Sequence, residues 1–324
     1  MATPIWHDYT VDLGTTDGQA FTIYDKANNT GNVIYSGKAY LKPGASHVYV
    51  KVNDICADYL HQLIAASFGA ASDVENYDTS VPVSHAFSLY VGATKKADWV
   101  FYLNWEYKDG STDKVNATAN VPITGRIQQG MKAPLSCLVL GGTQQVTVNH
   151  SGTQSSIYVG PAPFNLYSRA ASTDTFLNMA VYGGASVSYK VVPKCHRYAL
   201  YYVNEVGGVD VLLLEGKCRV TDSYNRKTYK QSYDNGDARN RGTVNYNNDI
   251  TRAWELHTGW LTDVEAGRMR HLLGSTLVFL CDCDDDNTLH PVTILNGDCP
   301  EKNHKDGMIE YGINVELARD MVRR

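Results

Sequence analysis

The stretch from residue 195 to residue 324 carries the strongest pattern in the chain and constrains the fold more than any other segment. Residues 197–203 form an aromatic and aliphatic run of strand length, and residues 209–214 form a second apolar run. Gly207 and Gly208 lie between the two runs and permit the positive φ angles of a tight turn. The pattern predicts a β-hairpin.

A strand and a helix follow in the same stretch. In residues 251–257, Trp254 and Leu256 alternate with smaller or polar residues, which is the period of a half-buried strand. Thr262 and Glu265 have the spacing of a capping box, in which each side chain accepts the backbone N–H of the other at a helix start. We therefore expect a helix over residues 262–273. The stretch shows no catalytic constellation, which favours a role in assembly.

Composition favours a β-rich protein. The 324 residues include 22 Tyr and 27 Gly, whereas only 19% are charged. Aromatic side chains suit a pleated sheet surface, and glycines suit the turns between strands. We predict a mainly β fold with tandem β-sandwich or meander domains and two short helices.

Turn-forming residues divide the chain into three blocks, which its length allows. Residues 1–82 are predicted to form a β-meander with strands at 20–24, 33–41 and 47–52, followed by a helix that Asn53 or Asp54 caps. Residues 83–192 contain short strand-like runs at the spacing of a β-sandwich. Residues 193–324 form the β-rich module with one capped helix and a long arm or loop at 222–248.

Charge and cysteine content limit the partners and the compartment. The net charge of −5 argues against direct nucleic-acid binding, because phosphate recognition needs a concentrated basic face. The first residues lack the pattern of a secretory signal, and no segment reaches the about 20 apolar residues of a membrane span. Seven cysteines, an odd number, are typical of reduced thiols. We expect a protein that matures in a cytoplasm.

An acidic turn is the first candidate for a bound ion. Asp282, Asp284 and Asp286 supply the oxygen ligands that Ca²⁺ prefers. The segment lacks the glycine and the distal glutamate of an EF-hand, so a solvated hairpin turn is the favoured interpretation. Cys281 and Cys283 lack the two-residue spacing of a zinc knuckle. No cofactor is expected.

Five segments at the two ends of the chain resemble one group of known proteins. They are VIYSGKAYLKPG (33–44), VNDICADYL (52–60), RYALYYVN (197–204), VLLLEG (211–216) and TGWLTD (258–263). As a set they resemble virion structural proteins of tailed phages that infect Bacteroidetes, including crAss-like phages. The resemblance implies a tail or neck component, such as a ring or hub subunit, that is made in the bacterial host cytoplasm and located in the virion. It implies no catalytic residues.

The predicted arm at 222–248 is the candidate contact surface. It is polar and rich in turn formers, and long ordered loops of this kind are usually functional. Tyrosine and arginine are enriched at protein interfaces. A solvated or disordered loop is the alternative. The candidate interface residues are Tyr224, Arg226, Lys227, Tyr229, Tyr233, Arg239, Arg241 and Tyr246.

Three functions are compatible with these observations. The leading hypothesis is a non-enzymatic virion subunit, a tail or neck ring or hub component that contacts copies of itself and other tail or neck proteins. The alternative is a receptor- or glycan-binding β-sandwich at the tail surface. Its sugar-stacking platform would be the aromatic run Trp99, Phe101, Tyr102, Trp105 and Tyr107, although the odd-numbered members share one face and suit a core. A glycan-degrading enzyme comes third, since no Gly-x-Ser-x-Gly elbow is present and no spacing pairs two carboxylates.

Overall fold

A computed structural model shows a mainly β protein, which confirms the predicted fold class. It describes residues 2–4, 9–26, 31–70, 78–82, 84–102, 117–118, 124–138, 144–159, 163–181, 186–204, 208–230, 243–285, 287–298, 308–318 and 321–322. These residues form 24 strands and two helices. The chain divides into an amino-terminal unit (1–195, 201–212 and 274–276) and a carboxy-terminal unit (196–200, 213–273 and 277–324).

The first elements are β1 (Ala2–Pro4), β2 (Thr10–Gly14), β3 (Gln19–Tyr24), β4 (Val33–Ala39), β5 (Val48–Lys51), α1 (Asn53–Ala70), β6 (Asp78–Pro82), β7 (Ser84–Val91) and β8 (Thr94–Tyr102). The next are β9 (Ala117–Thr118), β10 (Thr124–Gln128), β11 (Lys132–Leu138), β12 (Gln144–His150), β13 (Thr153–Val159), β14 (Pro163–Arg169), β15 (Phe176–Val181) and β16 (Ser186–Val192). The last are β17 (Tyr198–Val203), β18 (Val209–Leu214), β19 (Cys218–Lys230), β20 (Thr243–His257), α2 (Asp263–Leu273), β21 (Val278–Asp282), β22 (Thr288–Ile294), β23 (Gly312–Leu317) and β24 (Met321–Val322).

The first sheet joins strands that are distant in sequence, in the order β1-β8-β7-β3-β4. The strands predicted at the amino end and the helix after them are confirmed as β3, β4, β5 and α1, but the predicted three-stranded meander is wrong, because β5 pairs with β2 in a separate two-stranded sheet. Strands β7 and β8, which were assigned to the central block from sequence, belong to this sheet. β1 pairs with β8 in parallel, with Thr3 opposite Phe101. Local turn signals do not reveal such a pairing because many elements separate its two strands.

A buried carboxylate, Asp25, links the end of β3 to Asn32, which precedes β4, and to helix α1. Asp25 is 5% exposed, and it accepts hydrogen bonds from the Asn32 backbone N–H at 2.6 Å and from the Tyr59 hydroxyl at 2.9 Å. Burial, and after it the hydrogen bond to Asp25 and the negative charge of Asp25, together raise the pKa of Tyr59 to about 12. Helix α1 is thereby tied to the first sheet.

Two sheets in the middle of the chain form a sandwich. Their orders are β10-β16-β15-β12-β13 and β6-β14-β11-β9. Alternate residues of β16, including Val187 and Tyr189, are buried, and the Tyr189 hydroxyl donates to the Pro134 carbonyl of β11 at 2.8 Å. The residues of strand β6 are too polar to predict a strand from sequence, and the strand is defined by its pairing with β14.

An eight-stranded sheet contains the carboxy-terminal strands, in the order β18-β17-β21-β22-β23-β20-β19, with β24 also paired to β20. Every residue of β17 and β18 is buried, and both predicted strands are confirmed. Trp254 and Leu256 are buried whereas Glu255 is exposed, so the predicted alternation is correct.

The predicted capping box at the start of α2 is also confirmed. The Thr262 backbone N–H donates to Glu265 Oε2 at 3.0 Å, and the Glu265 backbone N–H donates to Thr262 Oγ1 at 3.5 Å. The helix runs from Asp263 to Leu273, within one residue of its predicted bounds.

Candidate assembly surface

Strands β19 and β20 form a long antiparallel ribbon at one end of the eight-stranded sheet. The pairing runs from Cys218 opposite Leu256 at the base to Lys230 opposite Thr243 at the tip. At about 3.4 Å per residue, this is a length of about 40 Å. β20 pairs with β23 only over residues 253–257 and with β24 at residues 249 and 250. Within the described part of the chain, the outer third of the ribbon therefore has no further strand beside it.

The ribbon corrects one feature of the predicted arm. Residues 222–230 and 243–248 are paired strands, whereas the sequence predicted an arm or loop over 222–248 and assigned no strands to it. Residues 231–242 lie outside the described residues. Every residue of β19 except Asp222 is exposed. Neither face of the strand is buried, so its residues show no apolar alternation that would predict a strand.

Cross-strand ion pairs hold the two strands in register. Arg252 donates from Nε to Asp222 Oδ1 at 2.7 Å and from Nη2 to Asp222 Oδ2 at 2.9 Å. This two-point hydrogen bond lowers the pKa of Asp222 and raises that of Arg252. Lys227 Nζ lies 2.9 Å from Asp249 Oδ2, next to a register shift between Lys227 and Thr228. The ribbon is thus ordered by its own contacts.

The ribbon presents large aromatic side chains to solvent. Tyr224 is 53% exposed, Tyr229 is 47% exposed and Tyr246 is 64% exposed. The rings of Tyr229 and Tyr246 are 6.1 Å apart near the tip. Arg226 and Lys227 are also exposed, so five of the eight candidate interface residues share this surface. The other three, Tyr233, Arg239 and Arg241, lie outside the described residues, and the role of all eight stays a prediction.

A second exposed aromatic stands near the base of the ribbon and was not singled out from sequence. Trp260 is 62% exposed. The loop that carries it is rigid, because Thr258 is buried, donates its N–H to the Tyr311 carbonyl at 3.0 Å and accepts the Tyr311 N–H on Oγ1 at 3.0 Å. Gly259 has a φ of +72°, which favours glycine. The TGWLTD segment contained a sequence pattern that indicates an exposed tryptophan, namely a glycine directly before the tryptophan among polar residues.

Gly216 allows the close approach that completes this loop. A Cβ at this position would lie 2.5 Å from the Cβ of His257. The backbone N–H of Gly216 donates to the His257 carbonyl at 3.0 Å. The loop is therefore held by Gly216 on one side and by Tyr311 on the other, so the backbone that carries the exposed Trp260 is already ordered.

The acidic turn after β21 pairs with a cation of the chain itself. Arg197 Nη2 lies 3.6 Å from Asp282 Oδ2, and Arg197 Nε lies 3.7 Å from Asp284 Oδ2. Asp286 lies outside the described residues. Among the residues that are described, no group of three His, Cys, Asp or Glu is placed to hold a metal ion. Arg197 offsets the negative charge of the turn.

Three residues of the sandwich have the distances of a Ser-His-Asp triad. His150 Nδ1 lies 2.7 Å from Asp174 Oδ2, and Ser168 Oγ lies 3.2 Å from His150 Nε2. Asp174 fixes the proton on Nδ1, so Ser168 donates to Nε2. Both Ser168 and Asp174 are only 6% exposed, so neither residue presents much surface to a substrate. The contacts link β12 of one sheet to β14 of the other, and we assign them to the stability of the sandwich.

The first residue of the proposed sugar-stacking platform is buried. Trp99 is 6% exposed and lies against Phe87, with ring centroids 6.3 Å apart and planes inclined by 26°. Its indole is part of the core of the first sheet. The side chains of the other four members, Phe101, Tyr102, Trp105 and Tyr107, lie outside the described residues.

Comparisons with known proteins leave the family open. Neither helix that the structure describes is both long enough and apolar enough to cross a membrane. The I9–I11 tandem of titin, a solved crystal structure, is similar to 79% of this chain and 90% of its own chain, with 11% identity and a TM-score of 0.19. A TM-score this low carries no argument for fold or function. No protein-family model and no curated protein matches the chain.

Proposed function

We propose that the chain is a non-enzymatic structural subunit of a phage virion, a tail or neck ring or hub component that binds copies of itself and other tail or neck proteins. The single observation that carries the proposal is the β19–β20 ribbon, an ordered arm with exposed tyrosines at the end of a sheet. The phage assignment and the virion location rest on the resemblance of the five sequence segments.

The ribbon has the properties of a docking arm. Its register is fixed by the Asp222–Arg252 and Lys227–Asp249 pairs, so a partner need not order it on binding. Tyrosine supplies a large contact area with few rotatable bonds. Among the described strands β19 is also a sheet edge, to which an added strand can pair through its backbone.

The size of the ribbon sets how much of the interface it supplies. A face about 40 Å long and about 10 Å wide presents about 400 Å², which is half of the about 800 Å² that each partner buries in a typical specific interface. Other surfaces of the chain must therefore supply the remaining half of its share of the interface.

Oligomeric state tests the proposal. We expect the purified protein to form closed rings or larger oligomers as its concentration rises, measured by light scattering after size exclusion and by negative-stain electron microscopy. The double variant Tyr224→Ser and Tyr246→Ser removes two exposed rings from the ribbon and is expected to shift assembly to higher concentration with an unchanged circular dichroism spectrum. Tyr158→Ser is the matched control, because Tyr158 is 73% exposed but lies on β13 of the sandwich.

Two outcomes would contradict the proposal. One is a wild-type protein that stays monomeric at all concentrations and binds a glycan with saturation, which would favour the receptor- or glycan-binding alternative. The other is a ribbon variant that assembles at the wild-type concentration. The buried position of Trp99 removes one support from the glycan alternative.

A further inference from the structure

We infer that the tip of one copy's ribbon docks on the Trp260 loop of the next copy, so that subunits join head to tail. The inference rests on the proposed function and deepens it by naming the receiving surface and the partner, a second copy of this chain. The docking tip comprises the outer ribbon with Tyr229 and Tyr246, and the docking base comprises the loop that exposes Trp260.

The two surfaces lie at opposite ends of one rigid element. The ribbon base is the pair Cys218 and Leu256, and Trp260 follows Leu256 by four residues. The tip pair, Lys230 and Thr243, is about 40 Å from the base at the rise of an extended strand. A paired ribbon of this length cannot fold back on its own base, so the tip reaches a Trp260 loop only in another copy.

Charge is distributed unequally between the two ends. The tip carries the cations Arg226, Lys227 and Lys230, and the one described carboxylate there, Asp249, pairs with Lys227. The base carries four carboxylates near the Trp260 loop and two cations on the neighbouring strand, and His257 lies 3.8 Å from Glu255 Oε1 and 3.5 Å from Glu310 Oε1. The carboxylates are Glu215, Glu255, Asp263 and Glu310, and the cations are Lys217 and Arg219.

The chain brings two of these carboxylates close to the loop. A Cβ at Gly259 would lie 3.1 Å from the Cβ of Glu215. Leu261 pairs with Ile309 in an isolated bridge, which places Glu310 beside the residue that follows Trp260. An exposed indole with an acidic surround suits an incoming Arg or Lys, because the indole face attracts cations and the carboxylates complement them.

Contacts between like surfaces are disfavoured by the same charges. A tip-to-tip contact would oppose Arg226, Lys227 and Lys230 to like charges, and a base-to-base contact would oppose carboxylates. A two-fold dimer with antiparallel ribbons would also make tip-to-base contacts, but it stops at two subunits, so wild-type oligomers larger than a dimer are required for the head-to-tail arrangement. A tip-to-base contact opposes unlike charges. Such a heterologous contact closes a ring or continues as a filament according to its rotation angle.

The test uses one variant for each surface. Trp260→Ala removes the anchor of the base, and the double variant Arg226→Glu and Lys230→Glu reverses the tip. Each alone is expected to weaken self-association by about 30-fold or more, the effect of losing an interface hot spot. Tyr158→Ala, another large exposed aromatic, is expected to assemble as the wild type does.

A mixture of the two variants gives the decisive result. The Trp260→Ala copy keeps an intact tip and the charge-reversed copy keeps an intact base, so equal amounts are expected to form a one-to-one heterodimer and nothing larger. Analytical ultracentrifugation measures this directly. Circular dichroism and thermal melting check the folding of each variant. Glu310→Arg is a second variant of the docking base. It is expected to weaken self-association and to bind an Arg226→Glu copy with restored affinity.

The possible failures are distinguishable. If Trp260→Ala and Glu310→Arg both assemble as the wild type does while the tip variant does not, the head-to-tail inference is wrong and the ribbon remains the contact surface. If the tip variant also assembles normally, or if the wild type never assembles, both the inference and the proposed function fail.

Discussion

The Asp222–Arg252 pair is expected to contribute about 1 kcal/mol to the free energy that holds the two ribbon strands together in register. Both guanidinium bonds are short, at 2.7 and 2.9 Å, and the side chains are 27% and 39% exposed. Exposed ion pairs contribute about 0.2–1 kcal/mol because water screens them, and two-point geometry places this pair at the upper end of that range. A double-mutant cycle with Asp222→Ala, Arg252→Ala and the double variant measures the coupling free energy.

Hydrogen exchange of the ribbon amides is the assay. A coupling of about 1 kcal/mol corresponds to about a five-fold loss of protection for residues 223–227. The Lys227–Asp249 pair serves as the control, because a lysine ammonium lacks the two-point geometry of a guanidinium and both side chains are more than 40% exposed. Its coupling is expected at about 0.3 kcal/mol, less than a two-fold change. Equal couplings for the two pairs, or none for Asp222–Arg252, would refute the reasoning.

The same pair predicts a pH dependence. The hydrogen bond from Arg252 holds the pKa of Asp222 below its ordinary value. A carboxyl group with a lowered folded-state pKa contributes stability above its unfolded pKa, and this contribution is lost as the pH falls through the folded pKa. Protection of the ribbon is therefore expected to decline in acid in the wild type, with a smaller decline in Asp222→Ala.

Four further predictions concern buried groups. Asp25→Ala is expected to lower the free energy of unfolding by about 2 kcal/mol in calorimetry, because buried donors lose their acceptor, and Tyr59→Phe is expected to lower it less. The pKa of Tyr59 is raised to about 12 in the folded protein. The stability that this shift contributes is fully present at a pH below the ordinary tyrosine pKa of about 10, and it is lost as the pH rises through about 12. The Tyr59→Phe variant should not show this loss. A fluorophosphonate probe is expected to leave Ser168 unlabelled in the folded protein, and labelling would contradict its assignment to the sandwich. Cys195 is exposed whereas burial raises the pKa of Cys56 to about 12, so a disulfide reagent should modify Cys195 first and Cys56 only after unfolding.

The parts of the fold that could be predicted from sequence are those that local chemistry determines. Apolar runs predicted β17 and β18, and the Thr262 and Glu265 spacing predicted α2, because each of these signals lies within a few residues. β19 was missed as a strand because both of its faces are solvated, and only its pairing with β20 makes it regular. The parallel pair β1 and β8 depends on contacts that no local window contains.

The same limit applies to the candidate site. Composition and turn chemistry indicated a contact segment at 222–248, and Tyr224, Arg226 and Tyr246 do lie on one exposed element. Trp260 was missed because exposure of a tryptophan is set by tertiary hydrogen bonds, here those of Thr258 and Tyr311. The meeting of His150, Ser168 and Asp174 likewise follows from the packing of two sheets.

The length of the ribbon can change in its outer third without changing the rest of the sheet. Residues 243–248 pair with β19 and, in the described part of the chain, with no other strand. Inserting two residues in each strand of this region would extend the reach of the arm by about 7 Å and keep every side chain on its face, whereas a single insertion would exchange the faces. Subunits related to this one can therefore differ in span by even steps while the rest of the sheet keeps its register.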